Sequence, residues 1–230
     1  MNRWLFPLMA LAGGLVGAGA VYVARPTGGD HVRDYLLAHP EVIPEAMQKL
    51  QEREAGRSVS ANRAAITTPF GSAFAGNPKG DVTLVEYYDY NCGYCRASLP
   101  AIRQLIAEDP KLRVVFRELP ILAESSRSAA RISLVAAAQG RFNAFHDALY
   151  AGGRVSDASI AAAAKTAGID TGKLTVLAPR IDAEIARNME TAARLGVTGT
   201  PSWVIGDRIL SGALPVEELK RAIAATRAGR

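Results

Sequence analysis

The chain of 230 residues holds two cysteines, three positions apart in the stretch Glu86-Tyr-Tyr-Asp-Tyr-Asn-Cys92-Gly-Tyr-Cys95. Two thiols at that spacing can interconvert between a dithiol and a small-ring disulfide, so the chemistry they suit is thiol-disulfide exchange. Two other readings compete with it. A purely structural bridge is one, but closing so short a loop constrains the unfolded chain far less than a long bridge does. A zinc site is the other. It needs about two further ligands, and the three histidines, His31, His39 and His146, are scattered along the chain.

The flanking residues favour exchange. Val82 to Tyr88 is β-branched and aromatic without Gly or Pro, which predicts a buried strand. Ala97 to Ala107 repeats Leu99, Ile102, Leu105 and Ile106 at helical spacing. A helix that starts at or just after Cys92 points its free N–H groups and positive dipole end at the first sulfur and favours its thiolate. Cys92 is then expected to be the exposed nucleophile. Cys95, one turn further in, is expected to attack a mixed disulfide formed on Cys92 and release the partner. Glu86 shares a strand face with Val82 and Leu84. It reads either as a buried proton acceptor for Cys95, with its pKa raised by burial, or as a surface glutamate near the end of the sheet.

Hydrophobic residues make up 49% of the chain and charged residues 21%, so a disordered chain is not expected and a substantial core is. The net charge of +5 comes from dispersed Lys and Arg with no nucleic-acid motif beside them, so no nucleic-acid partner is expected. Asn2 and Arg3 precede an apolar run from Trp4 to Ala24, and Ala18-Gly-Ala20 has the small-residue pattern of a cleavage site. Residues 1–24 are expected to be an export signal, either cleaved or kept as an N-terminal anchor, since about 20 apolar residues suffice to span a bilayer. Either outcome places the cysteines where disulfides persist.

Residues 25–68 read as a helical N-terminal arm. Pro26 and its neighbouring glycines mark a linker, Asp30 is expected to cap a helix through Ala38, and His39-Pro40 breaks it. A second helix carries Ile43, Ala46, Met47 and Leu50 on one side. Arg53 to Thr68 is polar and small and predicts an exposed connection. The apolar side must be covered, either by folding back on its own domain or by the same helix of other copies; the polar connection favours the second, which would give a homo-oligomer.

Residues 69–122 predict a short edge strand over Phe70 to Phe74, the strand and helix around the cysteines, and a strand over Leu112 to Glu118. Residues 123–195 read as helical, with helices over 125–139, 142–150, 156–167 (Ser156 as cap, Gly168 as stop) and 181–195. His146 sits on the second of these beside Phe142, Phe145 and Leu149 and reads as a packed or surface histidine rather than a ligand. In 196–230, strands over 202–205 and 209–211 flank the Gly206-Asp207 turn, and a closing helix runs from Pro215 to Ala228. The predicted class is α/β: a thioredoxin-like fold with an inserted helical domain and an N-terminal helical extension.

Three segments together resemble the DsbA family of thioredoxin-fold proteins, closest to its ScsC-like, N-terminally extended branch. They are Glu86 with Cys92-Gly-Tyr-Cys95, Gly196-Val-Thr-Gly-Thr200-Pro201-Ser-Trp-Val-Ile-Gly206, and Asp34-Tyr-Leu-Leu-Ala-His-Pro-Glu-Val-Ile-Pro-Glu45. The resemblance implies a periplasmic thiol-disulfide oxidoreductase, soluble after signal cleavage or tethered to the inner membrane by residues 4–24. It implies oxidase or isomerase work on exported protein clients, a membrane redox partner, and no cofactor beyond a Cys92–Cys95 redox disulfide. It further implies a cis Pro201 facing the cysteines, Thr200 tuning the thiol, and a client site of Gly93, Tyr94, Thr200 and Pro201 beside backbone that pairs with extended chains. Trp203 reads as core or as part of the client groove, with core favoured. Gly93-Tyr94 departs from the Pro-His dipeptide of the prototype oxidase and, lacking a cationic neighbour, predicts a less oxidising disulfide. The rival expectation is a non-enzymatic exported chaperone or copper(I)-binding protein using the same cysteines.

Overall fold

A computed structural model describes residues 28–229. The export signal expected over 1–24 lies outside them. The chain divides into one unit that ends at Gln51 and another that begins at Glu52.

In the first unit, helix α1 (Gly28–Ala38) begins two residues ahead of the cap expected at Asp30, and α2 (Val42–Thr67) begins after the His39-Pro40 break. Val32, Tyr35, Leu37, Ile43, Met47 and Leu50 are all exposed.

In the second unit α2 continues to Thr67, which corrects the exposed connection expected over Arg53 to Thr68. Ala55, Ala61, Ala64 and Ala65 are strong helix formers. Val59 and Ile66, two turns apart, are buried with Val85, Tyr87, Val115 and Val204. The end of α2 is held by a buried arginine from the sheet. Arg117 donates from Nε to the Ile66 carbonyl at 2.9 Å and from Nη2 to the Ala65 and Thr68 carbonyls, while its Nη1 donates to Glu184 Oε1 at 2.6 Å. A cation on the last free carbonyls of a helix is favoured by both hydrogen bonding and the helix dipole.

Five strands, β1 (Phe74–Gly76), β2 (Val82–Tyr88), β3 (Leu112–Glu118), β4 (Ser202–Ile205) and β5 (Arg208–Ser211), form one sheet in the order β1-β3-β2-β4-β5. β2 and β3 are parallel and the other pairs antiparallel. β1 starts later than expected because Phe70 to Ala73 forms a turn, with Ala73 N–H on the Phe70 carbonyl and Gly71 at φ +54°.

Helix α3 (Gly93–Glu108) joins β2 to β3, and α4 (Glu124–Ala138), α5 (Phe142–Ala151), α6 (Asp157–Ala167) and α7 (Leu174–Arg194) fill the helical segment before β4. α7 starts two turns before the expected Ile181. Pro179 lies inside it, where sequence alone reads proline as a boundary. Ser156 caps α6 by accepting from Ser159 N–H, and Gly168 ends it in the left-handed conformation at φ 66°. α8 (Val216–Ala228) closes the chain.

Alternation along β2 sets the two faces of the sheet. Val82, Leu84 and Tyr88 pack with Phe116, Phe142 and Phe145, whereas Val85 and Tyr87 pack with Val59, Ile66 and Ala192. Both cysteines belong to the first of these clusters.

Candidate active site

β2 ends at Tyr88, and the turn Asp89-Tyr90-Asn91 brings the chain into α3 with Cys92 as its N-cap. The Cys92 sulfur accepts the Cys95 N–H at 3.4 Å, and its backbone N–H donates to the Asp89 carbonyl at 2.9 Å. This is the helix-start geometry expected for the pair, with a backbone N–H of the first turn turned toward the first sulfur. Both thiols are free. Cys92 is more covered than the sequence predicts, at 6% exposed against 1% for Cys95, because the Thr200 carbonyl lies 3.2 Å from its sulfur and accepts its S–H. The Thr200–Pro201 bond is cis. Burial, followed by the nearby Glu86 charge, pushes the Cys95 thiol far above the usual thiol range.

Glu86 pairs in register with Phe116 of β3 and Trp203 of β4, in the middle of the sheet. It is buried, not on the surface. Its Oε1 has no hydrogen-bond partner, and burial, then the Cys92 charge, raises its carboxyl well above the usual range. The residues expected to form a client site differ in exposure. Tyr94 is 70% exposed, Gly93 has open space where a side chain would stand, Thr200 is half-buried and Pro201 is buried. Trp203 is core, fully buried, with its indole N–H donating to the Gly212 carbonyl at 2.9 Å. Among the described residues, no group of three or more His, Cys, Asp or Glu could hold a metal ion.

Residues 83–224 match the DSBA-like thioredoxin domain family. The chain belongs to that family. Its fold is the thioredoxin-like one of thiol-disulfide oxidoreductases. Residues 29–56 separately match the family described as the copper resistance protein ScsC N-terminal domain. A thioredoxin-like oxidoreductase from Silicibacter pomeroyi superposes with a TM-score of 0.68 at 40% identity, covering 73% of this chain and 98% of that one. The thiol-disulfide exchange protein alpha-DsbA2 from Wolbachia pipientis has a TM-score of 0.68 at 30% identity, covering 76% and 97% respectively. Among curated proteins, the chain is 32% identical over 159 residues to the Na+/H+ antiporter NhaA 1 of Salinispora arenicola, matching 67% of this chain but 24% of that protein. The chain thus spans about a quarter of that curated relative's length. No helix of the described residues is long and apolar enough to cross a membrane.

The DSBA-like domain also holds buried polar groups that sequence reasoning missed. Glu118, at the end of β3, stands in register with Tyr88, whose hydroxyl donates to its carboxylate. Tyr90 donates to Ser133 Oγ at 2.9 Å and lies 3.1 Å from His146 Nδ1. Burial pushes the Glu118 carboxyl up to about 8 and the His146 imidazole down to about 3, so His146 is neutral, in keeping with a packed histidine. Asp89 is buried in the turn before Cys92. The available signal was a run of polar and phenolic residues, Tyr-Tyr-Asp-Tyr-Asn, entering what is otherwise a core strand.

Proposed function

We propose that this protein exchanges disulfides with exported client proteins in the periplasm, using Cys92 as the attacking and attacked sulfur and Cys95 as the resolving one. The observation that carries this reading is the placement of the Cys92 sulfur between the Cys95 amide and the Thr200 carbonyl, with Cys95 and Glu86 both buried.

In the oxidising direction, a client thiolate attacks Cys92 of the Cys92–Cys95 disulfide, forming a mixed disulfide and a Cys95 thiolate that takes up a proton. The client's second thiolate then attacks the client's first sulfur in the mixed disulfide, forming the client disulfide and releasing Cys92 as a thiolate. Two electrons pass from client to protein. In the other direction the Cys92 thiolate attacks a client disulfide. Cys95 then loses its proton and attacks Cys92, expelling the client thiolate. Glu86 is the proposed acceptor of that proton, since a carboxyl with a raised pKa exchanges protons with a thiol more evenly than an ordinary one.

Tyr94, Gly93, Thr200 and Pro201 are the proposed client-binding rim, with backbone pairing supplying affinity for many sequences. The cysteine pair is the proposed sole redox group, recharged by a membrane redox partner. The exposed Ile43, Met47 and Leu50, with Val32, Tyr35 and Leu37, support pairing of these helices between copies. Several active sites on one assembly raise the effective concentration at a misbridged client and favour isomerase work.

Equilibration with glutathione buffers, followed by thiol trapping, tests the reading. A reduction potential near about -120 mV identifies a disulfide donor, and one near about -180 mV or below an isomerase or reductase. Failure to equilibrate overturns the exchange mechanism. The match of residues 29–56 to a copper resistance protein's N-terminal domain supports one second reading, copper(I) held between Cys92 and Cys95. Stoichiometric copper retention without disulfide exchange is the result that selects it.

A further inference from the structure

The end of α2, the loop that follows it and one side of α7 line a cavity of about 240 Å3. Arg117, Arg180, Glu184 and Arg187 supply its charged walls, with Pro69 and Phe70 among the uncharged ones. Arg180, Glu184 and Arg187 follow one another at spacings of four and then three residues along α7, so they share one face of that helix. Arg117 reaches the cavity from β3, where it stands in register with Tyr87 on the sheet face away from the cysteines. Three guanidinium groups thus meet one carboxylate.

That carboxylate is already committed. Glu184 Oε1 accepts from Arg117 Nη1 at 2.6 Å, and its Oε2 accepts from Arg187 Nη1 at 2.9 Å. Arg117 also donates to Asn188 Oδ1 and to the Ala65, Ile66 and Thr68 carbonyls, so the carbonyls at the end of α2 are occupied as well. The other acids of α7, Asp182 and Glu190, pair with Arg131 and Arg194. Arg180 has no ion pair among the described residues; its guanidinium carbon lies 4.6 Å from the centroid of the Phe70 ring. A guanidinium stacked on a ring keeps its in-plane N–H donors available to an anion. Burial above all pushes the Arg117 guanidinium below the usual arginine range, and the neighbouring Arg187 charge adds to that push, against the opposing pull of Glu184.

We infer that this cavity is a binding site for a small dianionic oxyanion of the phosphate class, held between Arg180 and Arg187. Charge selects a dianion, since two positive charges among the cavity's lining residues are uncompensated. Size selects a single group. About 240 Å3 lies below the ~300–1,000 Å3 of pockets that enclose whole small molecules, so the site suits a free phosphate or one phosphate group carried on a larger molecule. Arginine presents paired N–H donors that match two oxygens of a phosphate. An anion bound there offsets the positive charge around Arg117, which holds the end of α2, so occupancy is expected to stabilise the folded protein.

Calorimetric titration and urea denaturation of the whole protein at constant ionic strength test the site with inorganic phosphate, glycerol phosphate and acetate. Phosphate is expected to bind with a dissociation constant on the order of 1 mM, as suits two exposed guanidinium contacts, and about tenfold more tightly than acetate. At about ten times its dissociation constant, phosphate is expected to lower the unfolding equilibrium constant about elevenfold. R180Q/R187Q is expected to abolish both effects. Arg57→Gln, at an exposed arginine of α2 outside the cavity, is expected to change neither. Arg180→Gln alone breaks no ion pair among the described residues and is expected to weaken phosphate binding about tenfold, which keeps the test decisive if the double variant does not fold. Glycerol phosphate binding as tightly as phosphate supports a group carried on a larger molecule, and phosphate binding without glycerol phosphate binding supports the free ion. The proposal is overturned by a wild type that does not bind phosphate or binds acetate equally well, by undiminished binding in Arg180→Gln, or by an equal loss in Arg57→Gln.

Discussion

Glu118 makes a prediction that separates charge from packing. It is fully buried, its carboxylate accepts from Tyr88, and its carboxyl is pushed from 4.5 up to about 8, with desolvation as the main cause. A carboxyl whose folded-state pKa lies above its unfolded value is protonated in the native chain while the unfolded chain has already lost the proton. Stability is then fully present below about pH 4.5 and is lost as pH rises toward about 8, at ~1.4 kcal/mol per pH unit. Over that window the loss comes to about 5 kcal/mol as an upper bound, a large share of the ~5–15 kcal/mol that a domain possesses. Glu118→Gln keeps the shape and an acceptor for Tyr88 but cannot ionise. Urea denaturation of wild type and Glu118→Gln at several pH values between 4.5 and 8 is expected to show the variant gaining relative stability steadily as pH rises. The slope isolates the ionisation, because a lost or altered hydrogen bond shifts the two curves by a constant. Curves that stay parallel across the window, within about 1 kcal/mol, would refute the assignment of Glu118 as a buried carboxyl that resists ionising.

Other substitutions test the rest of the arrangement. Glu86→Gln is expected to slow the Cys95 resolution step about a hundredfold, read by the lifetime of a trapped mixed disulfide. By the same sign argument it is expected to raise stability at neutral pH, because its carboxyl too is raised by burial. Arg117→Met is expected to cost about 3 kcal/mol in urea denaturation, since it leaves Glu184 buried with less compensation and frees the α2 carbonyls; the double substitution R117M/E184M should recover part of that loss. Met47→Glu is expected to lower the mass of any homo-oligomer measured by light scattering while leaving glutathione equilibration in place; an unchanged oligomer would place the interface elsewhere.

Much of the fold was legible because its signals are local. The β2 strand, the helix start at Cys92, the Ser156 cap and the Gly168 stop each depend on residues within one turn of each other. What was missed depends on partners far along the chain. Residues 53–67 look like a polar connection, yet Arg117, some 50 positions on, caps that helix and two apolar residues on one side suffice to seat it on the sheet. Asp89 looks like an ordinary turn residue until its partners, the amides of Ile121 and Leu122 32 and 33 positions later, are placed. Cys92 was expected to be exposed because its helix position was readable, whereas the Thr200 carbonyl that covers it comes from 108 positions away.

Glu86 and Glu118 lie on neighbouring parallel strands, both buried and both with raised carboxyl pKa values, yet their surroundings differ. Glu118 is tied to Tyr88, so changing its charge disturbs a bonded network. Glu86 has one oxygen with no partner, an arrangement that stability alone disfavours, since an unsatisfied buried polar atom costs about 1–3 kcal/mol. Its charge and those of the cysteines also oppose one another: Cys92 helps raise the Glu86 carboxyl, and Glu86 helps raise the Cys95 thiol. A group that must take and return a proton is better left without fixed hydrogen bonds, which would commit it to one charge state. The carboxyl whose Oε1 has no partner is therefore the one we propose for proton transfer, and the partnered one is tied into the core.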